Sequence, residues 1–349
     1  MAGTGEALDE AADALLRERG RTETHDAWVI AALPLANGTT GFALADGTLR
    51  LLRPDDAAES VAAHDGTLLC AIPDIGGGVL SGGDDGRLVA TAPDGTVQEV
   101  ARFGSKWVEH LAAHPGAKGK GAWRAAGVGK DVHLLPADGG AARALSHPST
   151  VMGIATEARG KRLGVAHYNG ASLWWTASAG ERRALNWKGS HTGVVLSPDA
   201  SHLVTAMQEN ALHGWRLADN ADMRMSGYPA KTRSMGFSPS GRWLATGGAE
   251  SVVLWPFFGG GPMGKAPAEL MGGDEALCTM VACHPQQEVV AAGWNDGLVA
   301  MAEIASQRTV PIAAPGRGAV SALAWSADGS RLAFGTETGF CAVIDLSKR

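Results

Sequence analysis

The sequence has few of the residue types that mark a disulfide framework, a nucleic-acid surface or a membrane segment. Only 4 of its 349 residues are cysteine, and their irregular spacing is typical of a chain kept in a reducing compartment. The formal net charge of -6 argues against the basic stripe of a nucleic-acid-binding protein. No run of about 18 apolar residues occurs, and the N-terminus lacks the series of a secretory signal. These absences predict a cytoplasmic protein without a nucleic-acid or membrane partner.

Motifs that carry catalysis are also lacking. The glycine- and lysine-rich stretch at 115–121 does not have the spacing of a phosphate-binding loop. There is no Gly-x-Ser-x-Gly elbow, no His-Glu-x-x-His motif and no paired catalytic carboxylate pattern. The sequence therefore predicts a protein that is not an enzyme and that holds no cofactor.

Metal ligands are available, because the chain has 11 histidines, but they do not form a recognisable site. Cys278 and Cys283 lie on opposite sides of a strand, so they cannot hold one ion without a bend. His284 and His114 fall in hairpin turns, and the remaining two cysteines are typical of small buried apolar residues. No metal site is predicted, and a zinc or other transition-metal site stays open as an alternative.

Glycine is abundant, at 48 residues, and it punctuates one pattern best seen at residues 227–255. A short strand at 234–237 is followed by the turn Ser238-Pro239-Ser240-Gly241 and a second strand at 243–246. A Gly247-Gly248 turn then leads to a third strand that ends on Trp255. Strands separated by tight turns predict an antiparallel meander.

The meander recurs along the chain with a period of about 40 residues, which is the length of a four-stranded propeller blade. Its second tight turn falls near eight positions: Asp46, Asp85, Lys130, Asn169, Asn210, Glu250, Asp296 and Thr338. The predicted repeats occupy residues 25–63, 64–105, 106–146, 147–187, 188–226, 227–271, 272–315 and 316–349 of a domain that spans 21–349. Because the last repeat lacks a fourth strand, residues 21–25 are expected to supply it and close the sheet.

On these motifs the chain resembles the WD40 repeat family. The resemblance rests on the Ser-Pro-Asp/Gly first turn, the small residues of the second strand, the Asp/Asn-Gly second turn, and a tryptophan that closes the third strand, as Trp255 does. Family members usually begin each repeat with Gly-His and end it with Trp-Asp, and both marks are degraded here. His64 with Ser81 and Asp85 lacks the tryptophan, since Thr91 stands in its place.

The resemblance implies an all-β fold, a closed eight-bladed β-propeller of four-stranded antiparallel blades. Seven blades are the alternative, if the irregular third repeat is not a full blade. Residues 1–20 stand apart, because Leu8, Ala11, Leu15 and Leu16 recur at helical spacing among charged residues. They predict an amphipathic helix, either packed on the propeller or docked into a partner's groove.

In the family, the first strand of each repeat lines a central channel whose narrower face commonly receives peptides and partner domains. The resemblance therefore implies a non-enzymatic interaction scaffold that binds a partner protein or peptide at that face. Alignment on the first turn places one residue of each repeat there: Val29, Leu68, Glu109, Val151, Thr192, Arg233, Thr279 and Ser321. With neighbouring loops, the expected partner-binding residues are Trp28, Trp107, Glu109, Tyr168, Met207, Lys231, Arg233, Trp294 and Arg317.

Four alternatives remain open from the sequence. Trp28 and Trp107 could be wedged between blades rather than exposed. A metal-handling or small-ligand site could be built at the channel mouth from His110 and its neighbours. A hydrolase or lyase site, of the kind that some propellers hold, is the next alternative. The insertion at 256–267 could be a flap packed on its blade or an exposed hydrophobic contact.

Overall fold

The described residues fold almost entirely into β-strands. The computed structural model describes residues 12–117, 120–178, 180–272 and 275–347. Among these, one helix, α1 (Ala14–Arg19), precedes thirty strands. The all-β class predicted for the chain is confirmed. In the same residues, no helix is long and apolar enough to cross a membrane.

Six of the sheets in the described chain have four antiparallel strands, paired mostly in chain order. The first consists of β2 (Val29–Pro34), β3 (Thr40–Leu44), β4 (Thr48–Leu52) and β5 (Ala58–Ala62). The second consists of β6 (Leu68–Pro73), β7 (Val79–Gly83), β8 (Arg87–Thr91) and β9 (Val97–Arg102). The third consists of β10 (His110–His114), β11 (Trp123–Val128), β12 (Asp131–Pro136) and β13 (Arg143–Ser146). The other three contain β20 (Met235–Phe237), β21 (Trp243–Thr246), β22 (Ser251–Pro256) and β23 (Ala268–Gly272); β24 (Cys278–Cys283), β25 (Val289–Trp294), β26 (Val299–Glu303) and β27 (Thr309–Ala313); and β28 (Val320–Trp325), β29 (Arg331–Thr336), β30 (Phe340–Asp345) and β1 (Gly20–Thr24).

A seventh sheet has six strands and takes in two predicted repeats. Its strands, in order, are β14 (Gly153–Thr156), β15 (Arg162–Trp175), β16 (Arg183–Leu196), β17 (His202–Met207), β18 (Ala211–Arg216) and β19 (Asp222–Ser226). Both β15 and β16 are 14 residues long and continue through a register shift, near Gly170 in one and Gly193 in the other. The two repeats at 147–187 and 188–226 therefore share a sheet.

The prediction of eight separate blades is corrected by this pairing, because the described strands form seven sheets. Seven blades were the alternative expected from the sequence, on the ground that the irregular third repeat would not form a full blade. That repeat instead forms a full four-stranded sheet, β10 to β13. The fourth and fifth repeats are joined through β15 and β16. β15 bends back on itself near Gly170, which has a φ of 136°, so that the Thr176 N–H donates to the Lys161 carbonyl at 3.0 Å.

The outer strand of the last sheet comes from the other end of the chain. β1 pairs antiparallel with β30, from Gly20 opposite Ile344 to Thr24 opposite Phe340. α1 precedes β1 and buries Leu16 against Ile312 and Val320. Thus the described part of the N-terminal helix packs against the last two sheets, whereas residues 1–11 of the expected helix lie outside the described residues.

The chain divides into two compact units, each with its own cores. The first comprises residues 1–45, 50–58 and 232–349, and the second comprises 46–49 and 59–231. In the first unit Trp294 and Leu254 belong to one buried cluster. In the second, Leu203 and Trp215 pack within the six-stranded sheet. Such clusters of aliphatic and tryptophan side chains supply the main favourable term in folding.

Histidines at two of the first turns cap the turn and tie neighbouring sheets together. His284 Nδ1 accepts hydrogen bonds from the backbone N–H groups of Gln286 and Gln287 at 3.1 and 3.0 Å, so its Nε2–H donates to the Gly329 carbonyl at 3.2 Å. His114 uses the same arrangement in the second unit, towards Gly116 and Ala158. Both rings hold turns, as their positions predicted.

Candidate functional site

The first strand of several sheets begins with a one-residue bulge, and this bulge decides which side chains reach the surface. In β6, Leu68 lies opposite Gly83 but Cys70 lies opposite Gly82, which leaves Leu69 unpaired between them. A bulged residue turns its side chain out of the ladder. The same register shift leaves five residues unpaired in the described strands: Ile30, Leu69, Thr192, Thr279 and Ser321.

Because of these bulges, the eight residues that were aligned on the first turn do not all face the same way. Val29, Leu68 and Val151 are core residues with 0 to 2% of their surface exposed, whereas Glu109 and Arg233 are partly or fully exposed. The alignment therefore mixed two neighbouring positions. A turn-based alignment cannot reveal one extra residue inside a strand, because each such residue reverses the direction of the side chains that follow.

Bulged side chains tie adjacent inner strands of the first unit. Thr279 Oγ1 donates a hydrogen bond to the Val320 carbonyl at 2.7 Å, and Ser321 Oγ donates to the Val29 carbonyl at 2.7 Å. Ser234 Oγ makes the equivalent bond to the Val281 carbonyl at 3.1 Å. These bonds hold the starts of the first strands in fixed positions, so the edge that they form is preorganised.

In the second unit, two large aromatic side chains stand exposed at this edge. Trp107 and Tyr168 each expose 56% of their surface. Trp107 lies just before β10, where the Val108 N–H donates to the Gly83 carbonyl at 3.1 Å. The Tyr168 N–H donates to Ser149 Oγ at 2.9 Å. In an antiparallel sheet the first strand begins at the edge where the second strand ends, so both rings lie at the same edge of their sheets. We call the residues Lys106, Trp107, Glu109 and Tyr168 the aromatic edge.

Two other predicted residues of this unit have different surroundings. Lys231 is exposed in the loop that follows Pro229, whose carbonyl accepts a hydrogen bond from Asn210 Nδ2 at 3.2 Å. Met207 exposes only 4% of its surface, because it ends β17 inside the sheet opposite His191. It offers nothing to a partner, and the expectation that it forms part of the surface is corrected.

The predicted residues of the first unit also separate into exposed and buried ones. Trp28 is 44% exposed and Arg233 is exposed, so Trp28 is not wedged in the interior. Trp294 is fully buried, and its Nε1–H donates to the Glu250 carbonyl at 2.8 Å. The expectation that Trp294 anchors a partner is therefore corrected, since it is a core residue that closes β25.

Arg317 holds the N-terminal helix. Its guanidinium donates to both carboxylate oxygens of Asp13, and its Cζ lies 5.2 Å from the centroid of the Phe340 ring. Asp13 also accepts a hydrogen bond from the Ala314 N–H at 2.7 Å. Burial alone would raise the pKa of Asp13, but these donors hold it below its ordinary value. Arg317 thus serves α1, and its place on a partner surface stays a prediction.

Replacing Asp13 with Ala should destabilise the protein, because Arg317 would keep its partly buried position without a carboxylate. We expect a loss of about 1–3 kcal/mol in the free energy of unfolding. Chemical denaturation measures it, with Asp65→Ala as the control, since the Asp65 side chain is 87% exposed. Equal effects of the two substitutions would contradict the role assigned to Arg317.

The chain offers little for metal or covalent chemistry in its described part. No group of three or more His, Cys, Asp or Glu side chains there could hold a metal ion. Burial lowers the pKa of His110 to about 4 and raises the pKa of Cys283 to about 12, so neither group is poised to react near neutral pH. His64 has the arrangement expected from its repeat, with Nδ1 3.0 Å from Asp85 Oδ1 and Nε2 2.9 Å from Ser81 Oγ.

The insertion at 256–267 is packed on its sheet. Phe257 is 7% exposed and meets Phe237 edge-on, with 4.9 Å between the ring centroids. Phe258 lies 5.3 Å from Trp243 and beneath the cations of Arg242 and Lys265. Of the two alternatives, the structure favours the flap.

Comparisons with known proteins agree with this architecture. The family described as "WD domain, G-beta repeat" matches residues 224–255, which include the meander at 227–255. Among solved structures, the computationally designed Ika8 protein is 16% identical with a TM-score of 0.74, and the match covers 93% of this chain and 98% of that one. A chain of the Mitotic Checkpoint Complex is 14% identical with a TM-score of 0.61, over 93% and 94% of the two chains. No curated protein matches.

Proposed function

Since this chain is a WD40-type β-propeller, we propose that it is a non-enzymatic scaffold that binds a partner protein or peptide through the aromatic edge of its second unit. Proteins of this family are generally interaction scaffolds. The observation that carries the proposal is the exposure of Trp107 and Tyr168 at one edge, 56% each. Large aromatic side chains are the usual anchors of protein interfaces.

The energetic gain from covering these rings is large enough to support specific binding. Aromatic side chains bury about 150–250 Å² each, so covering the exposed half of each ring would contribute roughly 2–3 kcal/mol. The charged groups of Lys106 and Glu109 beside them would form a polar rim. Because hydrogen bonds fix the neighbouring backbone, little ordering is needed on association.

Other predicted properties belong to the same proposal. Four free thiols support a reducing, cytoplasmic location, and the net charge supports a protein or peptide partner over a nucleic acid or a membrane. In the first unit, Trp28 and Arg233 are exposed as well, each beside the first strand of a different sheet, and either is accessible to a partner. No feature of the described residues favours the metal-handling alternative around His110, and we do not propose it.

The proposal is tested by affinity capture from a lysate of the source organism, followed by a binding assay with the recovered partner. Trp107→Ala and Tyr168→Ala should each weaken binding at least about 30-fold, as expected for a central anchor worth 2 kcal/mol or more. Trp175→Ala is the matched control, because Trp175 is an exposed aromatic residue at the far end of β15.

Charge reversal separates the two units. Glu109→Arg should weaken binding of the partner to the second unit, whereas Arg233→Glu should leave that binding unchanged. The reverse result would move the binding surface to the first unit. A partner that remains on the Trp107, Tyr168 and Glu109 variants as firmly as on the wild type would overturn the proposal.

A further inference from the structure

A fully buried histidine lies between two tryptophans where the two repeats of the six-stranded sheet meet. His213, in β18, exposes none of its surface. Its ring stacks on Trp187 of β16 with 4.0 Å between centroids and 16° between planes. Trp215 meets the same ring edge-on at 4.8 Å and 67°. The imidazole therefore fills the space between strands of the two repeats.

The polar atoms of this ring are unusually placed. Neither Nδ1 nor Nε2 of His213 makes a hydrogen bond with any residue that the structure describes. More than nine in ten buried polar groups are hydrogen-bonded, and an unsatisfied one costs about 1–3 kcal/mol. The Asp222 carboxylate is the nearest charge, with Oδ2 3.6 Å from Nε2, just beyond hydrogen-bond distance, and its side chain is half-exposed.

Charged and titratable groups face His213 from each neighbouring strand. On β19, Asp222 favours the protonated ring, while Arg224, opposite His213, opposes it. On β16, the His191 ring lies 6.4 Å away and is already occupied by Thr205 Oγ1 and the Trp187 carbonyl, at 2.7 and 3.1 Å. On β17, Thr205 is the partner across the ladder and carries no charge. Burial outweighs the attraction of Asp222 and lowers the pKa of His213 to about 4.

We propose that His213 is a proton-operated switch of the six-stranded sheet. In the neutral state its ring is packed between the two indoles. When the ring gains a proton, it turns towards Asp222, because a buried imidazolium needs a charge-assisted hydrogen bond of about 2.7–2.9 Å. That movement takes the ring off the face of Trp187 and loosens the hairpin of β18 and β19.

The response should depend on a single proton. Because Asp222 accepts a hydrogen bond from the protonated ring in the loosened hairpin, the pKa of His213 there is at least its ordinary value. The population of the loosened hairpin therefore rises about tenfold for each pH unit below roughly 6.5, until the closed form also titrates near its own pKa. The rest of the second unit does not need to open. The sheet would then report acidification locally while the remaining strands keep their pairing.

Hydrogen exchange of the full chain, corrected for the intrinsic effect of pH, tests the switch. Protection of residues 211–226 should fall about tenfold per pH unit between pH 6.5 and 4, beyond any change at 289–303 in the first unit. His213→Phe keeps an aromatic ring on Trp187 but cannot titrate. In this variant, the dependence of protection at 211–226 on pH should correspond to one proton fewer than in the wild type. In Asp222→Asn, the protonated ring loses the carboxylate towards which it turns, so acid should open the hairpin less than in the wild type.

Indole fluorescence supplies a second readout. The neutral ring lies against Trp187, so the acid change in emission should be smaller in His213→Phe and His213→Gln than in the wild type. Two substitutions are used so that a folding defect in one does not decide the result. If protection at 211–226 has the same slope in the wild type and in the folded variants, or if it falls only together with 289–303, the switch is overturned.

Discussion

Replacing Trp294 with Ala is expected to lower the free energy of unfolding by about 3–5 kcal/mol, the usual loss for a large aromatic residue in a core. Trp294 is fully buried in a cluster with Leu254 and Val290. The substitution also removes its hydrogen bond to the Glu250 carbonyl, which would leave that carbonyl without its indole donor.

Trp28→Ala is the matched comparison, because Trp28 is 44% exposed in the same unit and was expected to share its role. A substitution at an exposed position usually changes stability by less than about 0.5 kcal/mol. Denaturant unfolding of the three proteins measures both effects. Similar losses in Trp28→Ala and Trp294→Ala would contradict the assignment of one residue to the surface and the other to the core.

Acid should destabilise this protein well above the pH at which carboxylates titrate. Burial lowers the pKa of His147 and of His110 from 6.5 to about 4. Between these pH values the unfolded chain binds protons that the folded chain does not, so stability is present above pH 6.5 and is lost as the pH falls towards 4. Each such histidine contributes up to about 3 kcal/mol to this loss.

Denaturant midpoints at pH 7, 6, 5 and 4.5 measure this loss, and His147→Gln identifies one contributor. His147 accepts a hydrogen bond from Trp174 Nε1 at 3.0 Å and its Nδ1 lies 3.1 Å from the Lys130 carbonyl, so glutamine can keep part of this pattern without titrating. The dependence of stability on pH should then decrease by about one proton. An unchanged slope in His147→Gln would show that His147 does not stay neutral in the folded state.

The repeat pattern predicted the fold because turn chemistry is local. Ser238 and Gly241 form the expected first turn, with the Gly241 N–H donating to the Ser238 carbonyl at 2.8 Å. Strands β20, β21 and β22 follow within a residue of the predicted bounds. The outer strand of the last sheet was also expected, since three strands with an open edge need a fourth.

The site was harder to predict, because exposure depends on neighbours that are distant in sequence. Trp28 precedes the first strand of one sheet and Trp294 ends the second strand of another, so both were expected at the same face, yet one is at the surface and the other is in the core. Arg317 was expected to face a partner, but Asp13, about 300 residues away, binds it. The bulges hid which of two adjacent residues, such as Leu68 and Leu69, turns outwards.

The sequence by itself determined the class of fold, the period of its strands and the chemistry of its turns, since these depend on residues within a few positions of one another. Only the tertiary structure decided that two repeats share one sheet, that His213 is buried between Trp187 and Trp215, and that Trp107 and Tyr168 remain uncovered. Burial results from packing between strands that are far apart along the chain. A periodic pattern fixes which residues alternate, whereas the packed neighbours fix which of them meet water.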